Sequence, residues 1–296
     1  MKKYFFDTVL EIMDLDDSIY FITGDLGYPY NEEIENKFSS RYINFGVAEQ
    51  SMVGFASGIA KSGGYPIIYS ISNFLSMRAL EQIRNDLVYH NLPALLVNGG
   101  SGFNYQRYGY THHSIEDIGV LSSIGNINIY NPSFPENVEY CIKDSLKSKH
   151  LSYLRLDRFY NEINIPSDQL NASISWRNRN NNKKLLISSG SISEVVEEAF
   201  LSMDLRTEFD YLLINKIHSE TNRFFDGFVS EYESYYLIEE QKYLGTIASK
   251  LNKFVQGNTI KYKCINDDFI SNLSTKEILR KNVGLDIVSI KKFLND

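Results

Sequence analysis

The first half of the chain alternates short apolar runs with amphipathic segments. The runs that we predict as strands are SIYFIT (18–23), YPIIYSI (65–71), LPALLVN (92–98) and NINIYN (126–131). Glycine, Ser-Asn or proline follows each run, as is usual where strands end. The segments that we predict as helices are 48–61, 76–90 and SIEDIGVLSSI (114–124), in which Ser114 and Asp117 fit a capping box. This alternation predicts a parallel sheet covered by helices on both faces.

The second half repeats the alternation after a polar stretch. Residues 161–182 are rich in asparagine and lack hydrophobic periodicity, which predicts a linker. Strand-like runs then follow at LLISSGS, FDYLLINKI, SYYLIEE and TIKYKCIN, and helix-like runs at SEVVEEAFLSM, KYLGTIASKLNKFV and TKEILRKN. We therefore predict an α/β protein with two domains, 1–160 and 183–296, each a three-layer α/β/α unit with a parallel or mixed sheet.

Polar residues that follow the predicted strands mark where a ligand would bind. Parallel sheets bind ligands beyond the carboxyl ends of their strands. Asp25, the pair Asn73 and Phe74, and the loop 99–113 all lie at such ends. We expect the chemistry of the protein among these residues.

Composition excludes several classes of function. The chain has 296 residues, 43% hydrophobic and 23% charged, and a net charge of −7, which fits a globular protein and gives no basic footprint for nucleic acid. No apolar run approaches the roughly 20 residues that span a bilayer. Acidic residues interrupt MKKYFFDTVLEIMDLDD, so we expect no signal peptide. Cys141 and Cys264 lack metal-ligand spacing and are expected to be reduced thiols in the cytoplasm.

Glu49 lies at the start of an unusually apolar, small-residue helix in RYINFGVAEQSMVGFASGIAKSGG (41–64). One interpretation is that its carboxylate only complements the positive end of the helix dipole. The other is that it faces a desolvated pocket and takes part in acid–base chemistry. Its position alone does not decide between them.

Six segments resemble a known family in their order and spacing. They are RYINFGVAEQ, SNFLSMRALEQIRNDL, GYTHHSIEDIGVL, INIYNPSFPENVEYCI, YLRLDR and LIEEQKYLGTIASKL. Together they resemble the carboxyl-terminal half of transketolases. The resemblance implies a pyrimidine-binding domain over 1–160 and the family's carboxyl-terminal domain over 183–296.

The resemblance also implies a cofactor and a partner. Transketolases bind thiamine diphosphate between a diphosphate-binding and a pyrimidine-binding domain. The diphosphate domain carries a GDG…N motif for Mg²⁺, whereas this chain has only Gly24-Asp25-Leu26. We therefore expect no metal ligands here, and a partner subunit that holds the diphosphate and Mg²⁺, in a heterotetramer with two copies of each chain.

Five residues match cofactor contacts of the family. Glu49 matches the glutamate that hydrogen-bonds the pyrimidine N1′ and so promotes ionisation of the thiazolium C2. Phe74 matches an aromatic residue beside the pyrimidine, and Met77 and Leu80 stand where two further aromatic residues are common. Met77 and Leu80 fit equally well as the core side of a helix. Asp25 matches an acidic residue near the thiazolium, although a turn aspartate is the alternative.

Other matches imply a substrate channel with departures from the family. His112 matches a histidine that contacts the sugar and aids proton transfer, and His113 stands where glutamine is common. Tyr108 replaces an aspartate that contacts the acceptor, and Gly100 replaces a second histidine, which puts the usual acceptor preference in question. Arg158 matches an arginine that holds a substrate phosphate, although a surface ion pair is the alternative.

The resulting prediction is one subunit of a split transketolase that moves a two-carbon ketol unit from a ketose to an aldehyde. Its substrates would be sugars or sugar phosphates, with no nucleic acid or membrane as partner. One alternative is the β subunit of a 2-oxoacid dehydrogenase. A second is 1-deoxyxylulose-phosphate synthase chemistry, normally found on one long chain. A third is a non-catalytic scaffold subunit.

Overall fold

The computed structural model describes residues 1–159, 170–217, 232–252, 255, 258–266, 270 and 273–296. In chain order, the elements of the first half are α1 (Lys2–Leu15), β1 (Ile19–Thr23), α2 (Asn31–Lys37), β2 (Tyr42–Asn44), α3 (Glu49–Lys61), β3 (Tyr65–Ser70), α4 (Leu80–Gln82), β4 (Leu95–Asn98), α5 (Asp117–Ser123), β5 (Asn128–Tyr130), α6 (Asn137–Ser148) and β6 (Ser152–Arg155). Two π-helical segments, Asn73–Met77 and Ile83–Val88, flank α4.

The elements of the second half begin inside the predicted linker. They are β7 (Ile174–Asn178), β8 (Lys184–Ser189), α7 (Ser193–Ser202), β9 (Phe209–Ile214), β10 (Lys216–Ile217), β11 (Ser234–Lys242), α8 (Ile247–Leu251), β12 (Thr259–Ile265), α9 (Lys276–Asn282) and α10 (Ile287–Asn295). The predicted strands of this half correspond to β8, β9, β11 and β12.

Two sheets organise the described part of the chain. The first has seven strands in the order β10-β5-β6-β4-β3-β1-β2, and all pairs are parallel except β10 with β5. The second has five strands in the order β12-β11-β8-β9-β7, and only β7 is antiparallel. The predicted α/β class with two mixed sheets is confirmed.

Three apolar clusters hold the layers together. One packs α1 and α6 on one face of the first sheet, with Phe5 and Ile142 fully buried. A second covers the other face with α3 and the segment around α4, and it continues through Ile187 and Leu237 into the second sheet. A third packs α7, α9 and α10 on the outer face of the second sheet. Each large apolar side chain fully buried in this way contributes about 1.5–3 kcal/mol.

Buried ion pairs join the two halves of the chain. Lys276 Nζ of α9 donates to Asp157, just after β6, at 2.8 Å. Glu240 of β11 pairs with Arg280 and accepts a hydrogen bond from the backbone N–H of Phe103 at 2.9 Å. Burial would raise the pKa of Glu240, but Arg280 and Lys276 hold it below its usual value. The loop that carries Phe103 is thus anchored on the second half of the chain.

The late segment LIEEQKYLGTIASKL adds a second contact between the halves. A Cβ on Gly245 would lie 2.9 Å from the backbone nitrogen of Gly119 in α5, so only glycine allows this approach. Glu239 accepts a hydrogen bond from Ile247 N at 2.7 Å, and burial raises its pKa to about 8. This segment has a structural role in the described part of the chain.

Three local expectations change. The strand β7 occupies part of the predicted 161–182 linker because its residues pair with β9, while residues 160–169 lie outside the described residues. The predicted capping box is wrong, because α5 begins at Asp117 without a side-chain cap and Ser114 instead hydrogen-bonds Ser72. The predicted helix 76–90 is split by the π-helical turns around α4.

None of the helices that the structure describes has the length and apolar character needed to cross a membrane.

Candidate active site

Glu49 is the first residue of α3 and is buried, with 2% of its surface exposed. The turn before it uses Gly46 at a positive φ of 64°. Along α3, Met52, Val53 and Ala56 are buried against the first sheet. A carboxylate held at the mouth of such a helix is removed from most of its solvent and needs a polar partner.

Arg78 supplies that partner. Its Nη1 donates to Glu49 Oε2 at 2.7 Å, and its guanidinium carbon lies 4.3 Å from the centroid of the Phe74 ring. The guanidinium therefore contacts both a buried carboxylate and an aromatic face. The residue was not predicted from the sequence.

Asn73 ties the Phe74 segment to the loop that carries the histidines. Its Nδ2 donates to the carbonyl oxygens of His113 at 2.7 Å and Thr111 at 3.2 Å. The π-helical segment that begins at Asn73 follows β3 at the carboxyl edge of the first sheet. These bonds bring the loop over the start of that segment, so that the Phe74 and His112 rings meet with centroids 5.1 Å apart.

Three aromatic rings surround His112. Besides Phe74, the ring centroids of Tyr105 and Tyr108 lie 5.8 and 5.0 Å away. The Thr111 hydroxyl lies 2.8 Å from Nδ1. Burial, and then the neighbouring His113, lower the pKa of His112. A neutral imidazole can donate from one nitrogen and accept at the other, which suits proton transfer.

Tyr105 explains why a glycine stands at position 100. A Cβ on Gly100 would lie 2.4 Å from the Tyr105 ring, so a histidine there would collide with it. Burial, followed by Tyr108, raises the pKa of Tyr105 to about 12, which keeps its hydroxyl protonated. The Tyr105 ring therefore fills the space beside Gly100 that a larger side chain would need.

A cavity of about 310 Å³ lies beside Tyr108. Lys2, Arg107 and Arg158 line it together with Tyr105 and Tyr108. Burial and the charge of Arg158 lower the pKa of Lys2, as expected where cations are brought together. The chemistry of this cavity suits an anion.

Four predicted residues, Glu49, Phe74, His112 and Tyr108, are joined through Arg78, which was not predicted, into a continuous contact row, defined as Glu49, Arg78, Phe74, His112 and Tyr108. The last of these, Tyr108, is 69% exposed and opens onto the cavity that Arg158 lines. The row therefore joins a buried carboxylate to a cationic cavity along the carboxyl edge of the first sheet.

Arg158 lines the cavity, and four other predicted residues lie apart from both the row and the cavity. His113 is 1% exposed, and its Nε2 lies 2.9 Å from the carbonyl oxygen of Gln106, so it supports the loop. Leu80 packs on the second apolar cluster, as the core interpretation expected, and Met77 is half-buried. Asp25 is exposed in a separate turn.

Asn44 connects the Asp25 turn to the turn before Glu49. Its Oδ1 accepts hydrogen bonds from the backbone nitrogens of Asp25 and Gly46, both at 2.9 Å. Asp25 has a positive φ of 59°, which the hydrogen bond to Asn44 helps to hold. The role of Asn44 was not predicted, although it stands within RYINFGVAEQ.

A buried polar network holds the loop that carries His112. Arg155 donates from Nε to Asp117 Oδ2 and from Nη2 to the carbonyl oxygen of Ser114, both at 2.9 Å. Tyr153 donates to the same Asp117 oxygen at 2.7 Å. Arg155 and Asp117 are 3% and 0% exposed, so the charges are paired inside the protein. This network fixes the backbone just after His113.

Sequence reasoning missed Arg78, Tyr105, Lys2 and Arg107. Arg78 and Arg107 carry no motif of their own, and Lys2 is far from the loop in sequence, so nothing in the local pattern marks them. A signal for Tyr105 was present, because Gly100 leaves a space that another side chain must fill.

Comparisons with known proteins identify the family of the chain. The family model described as the transketolase pyrimidine-binding domain matches residues 1–160. A relative from Actinobacillus succinogenes, named as one of the subunits of an apulose-4-phosphate transketolase, is 29% identical over 261 residues, which cover 86% of this chain and 84% of that protein.

Two solved structures share the fold. A split-gene transketolase, described as an inactive β4 tetramer, superposes with a TM-score of 0.82 at 17% identity, over 99% of this chain and 96% of that one. The transketolase of Campylobacter jejuni gives a TM-score of 0.79 at 15% identity over 98% of this chain, which spans only 46% of that enzyme. The resemblance to the carboxyl-terminal subunit of a split transketolase is confirmed, and the chain belongs to the transketolase pyrimidine-binding domain family.

Proposed function

We propose that this chain is one subunit of a split, thiamine-diphosphate-dependent transketolase in the cytoplasm. The assembled enzyme transfers a two-carbon ketol unit from a ketose donor to an aldehyde acceptor. The observation that carries the proposal is the contact row from the buried Glu49 to His112 and Tyr108, beside a cationic cavity.

The residues at one end of the row fit the pyrimidine half of the cofactor. Glu49 offers a desolvated carboxylate for a ring nitrogen, and Phe74 offers an aromatic face next to it. Met77 belongs to the same π-helical segment as Phe74, and Asp25 follows the carboxyl end of β1. When bound, thiamine diphosphate supplies the carbon nucleophile that accepts the two-carbon unit. Glu49 would hold the pyrimidine N1′ and share a proton with it.

His112 acts on the substrate side. The Thr111 hydroxyl engages Nδ1, so Nε2 is the atom left to donate to or accept from the sugar oxygens. Phe74, Tyr105 and Tyr108 contact the imidazole and restrict its orientation. Tyr108, in place of an aspartate, offers the acceptor a ring and a hydroxyl without negative charge.

The partner subunit would hold the diphosphate and Mg²⁺. The relative from Actinobacillus succinogenes is named as one subunit of its transketolase, which supports a second chain. The solved split-gene transketolase is described as inactive in its β4 form, which is consistent with the need for that chain. A heterotetramer with two copies of each chain is the assembly that we propose.

The cationic cavity is assigned to a substrate phosphate. Arg158→Met is expected to raise KM for phosphorylated acceptors by about 10- to 100-fold, because a charged hydrogen bond contributes about 1.5–3 kcal/mol. Lys2→Met should act in the same direction with a smaller effect. KM for a matched acceptor that lacks the phosphate should not change. An equal loss with both acceptors would show that the cavity does not bind phosphate.

Reconstitution tests the proposed function. The chain is mixed with a diphosphate-binding transketolase subunit, thiamine diphosphate and Mg²⁺, and acceptors lengthened by two carbons are detected by mass spectrometry. Neither subunit alone should form such products. Release of CO₂ from pyruvate with acyl transfer to lipoamide would instead indicate the 2-oxoacid dehydrogenase alternative. A stable complex without either activity would indicate a scaffold subunit.

A further inference from the structure

Arg78 contacts both Glu49 and Phe74, the two residues that the proposed function assigns to the pyrimidine. It donates to Glu49 Oε2 at 2.7 Å and lies over the Phe74 ring at 4.3 Å. Among the described residues, no other side chain donates a hydrogen bond to the Glu49 carboxylate. A ring placed between Glu49 and Phe74 would meet this guanidinium first.

The backbone of Arg78 is anchored, whereas its side chain is accessible. The Arg78 N–H donates to Asn73 O at 3.1 Å, and Gln50 Nε2 donates to Arg78 O at 3.2 Å. The side chain itself is 44% exposed, against 1% for Glu49. The guanidinium can therefore move into water while the helical segment stays in place.

An ion pair with arginine opposes the chemistry expected of Glu49. A guanidinium keeps its protons at all physiological pH values and stabilises the ionised carboxylate. A pyrimidine nitrogen that shares a proton with Glu49 needs the opposite, a carboxyl group whose proton can be shared. Arg78 and the cofactor are thus competitors for the same carboxylate.

We propose that Arg78 is a positioning residue that holds Glu49 and covers Phe74 until the pyrimidine of thiamine diphosphate displaces it. The inference rests on the proposed function, because it takes Glu49 as the partner of the pyrimidine. Free subunits would keep their buried carboxylate paired, and cofactor binding would include the breaking of this ion pair. The apparent affinity for the cofactor is then lowered by the fraction of sites that Arg78 closes.

Cofactor affinity of an Arg78→Met variant tests this inference. Methionine keeps an apolar contact with Phe74 but cannot pair with Glu49. In the complex with the diphosphate-binding subunit, we expect the Kd for thiamine diphosphate with Mg²⁺, measured by calorimetry, to fall about 10-fold. An unchanged or higher Kd would overturn the inference. The matched control is Arg84→Met, an exposed arginine on the next helical segment bonded to Asn85, which should leave the Kd unchanged.

A double-mutant cycle separates competition from general disturbance. In a Glu49→Gln background the ion pair is already absent, so adding Arg78→Met should no longer tighten binding, and a persistent effect would overturn the inference. If Arg78→Met does not fold, Arg78→Lys serves instead. It should give a Kd slightly below that of the wild type, and a higher Kd would contradict competition. A wild-type complex that binds no thiamine diphosphate would refute the proposed function itself.

Discussion

Glu49→Gln is expected to reduce ketol transfer by the reconstituted enzyme about 10²- to 10⁴-fold, the usual contribution of a positioned acid–base group. Glutamine keeps the size and polarity of the side chain, but it cannot share a proton with the pyrimidine N1′. The buried position of Glu49 strengthens the expectation, because water cannot readily replace the lost carboxylate. The direct measurement is the exchange of the thiazolium C2 proton with deuterium, followed by NMR in the assembled enzyme.

The matched control for this variant is Glu81→Gln. Glu81 is an exposed glutamate of α4 on the chain segment that also carries Arg78. Its replacement removes the same charge near the site and should leave both C2 exchange and ketol transfer unchanged. A Glu49→Gln enzyme with exchange rates within a few-fold of the wild type would refute the assigned role.

The second large effect is expected on stability. Arg155→Met should lower the free energy of unfolding by about 3–5 kcal/mol, because it leaves Asp117 charged, buried and without its ionic partner. The same change removes the hydrogen bonds from Arg155 to Asn131 and to the Ser114 carbonyl oxygen. Urea denaturation of the full chain, followed by circular dichroism, measures the change.

Two further variants identify the cause of that loss. Asp117→Leu combined with Arg155→Met removes both charges and should be less destabilised than Arg155→Met alone. Lys3→Met breaks an ion pair with Asp7 that lies on the surface, and it should give no measurable change. A loss from Arg155→Met no greater than that from Lys3→Met would show that the buried network does not stabilise the fold.

Four strands of the first sheet were predictable because they are locally encoded. The runs at 18–23, 65–71, 92–98 and 126–131 are apolar and are bounded by turn residues, and each contains a strand of the first sheet. The small-residue pattern also placed α3 to within a residue. Such elements depend on side chains that are near in sequence, so they can be predicted from the local pattern without knowledge of the fold.

Elements that depend on tertiary contacts were not predictable in the same way. Ser114 and Asp117 have the spacing of a capping box, but in the fold they face Ser72 and Arg155, and these buried partners replace the local hydrogen bond. The π-helical turns around α4 likewise follow from contacts such as those of Asn73 with the histidine loop. The sequence of edge strand β7 resembles part of a polar linker because only Ile174 and Trp176 of its five residues are large and mostly apolar, and polar residues flank it on both sides.

The site was predictable only in part for a related reason. Spacing alone left the role of Glu49 open, and family resemblance assigned it together with Phe74, His112 and Arg158. Resemblance did not identify Arg78, Lys2 or Arg107. Their proposed roles depend on contacts and on a shared cavity that only the folded structure shows. For His113, resemblance suggested a substrate contact because the residue lies beside His112. Its ring is instead buried against Gln106 and Phe103.

The central claim is that this chain provides half of a thiamine diphosphate site. Calorimetric titration of thiamine diphosphate with Mg²⁺ tests it most directly, first on this chain alone and then on its mixture with the diphosphate-binding subunit. We predict that this chain alone gives no tight binding and that the mixture binds one cofactor per pair of subunits. Tight, Mg²⁺-dependent binding by the isolated chain, or no binding by a stable complex, would contradict the account.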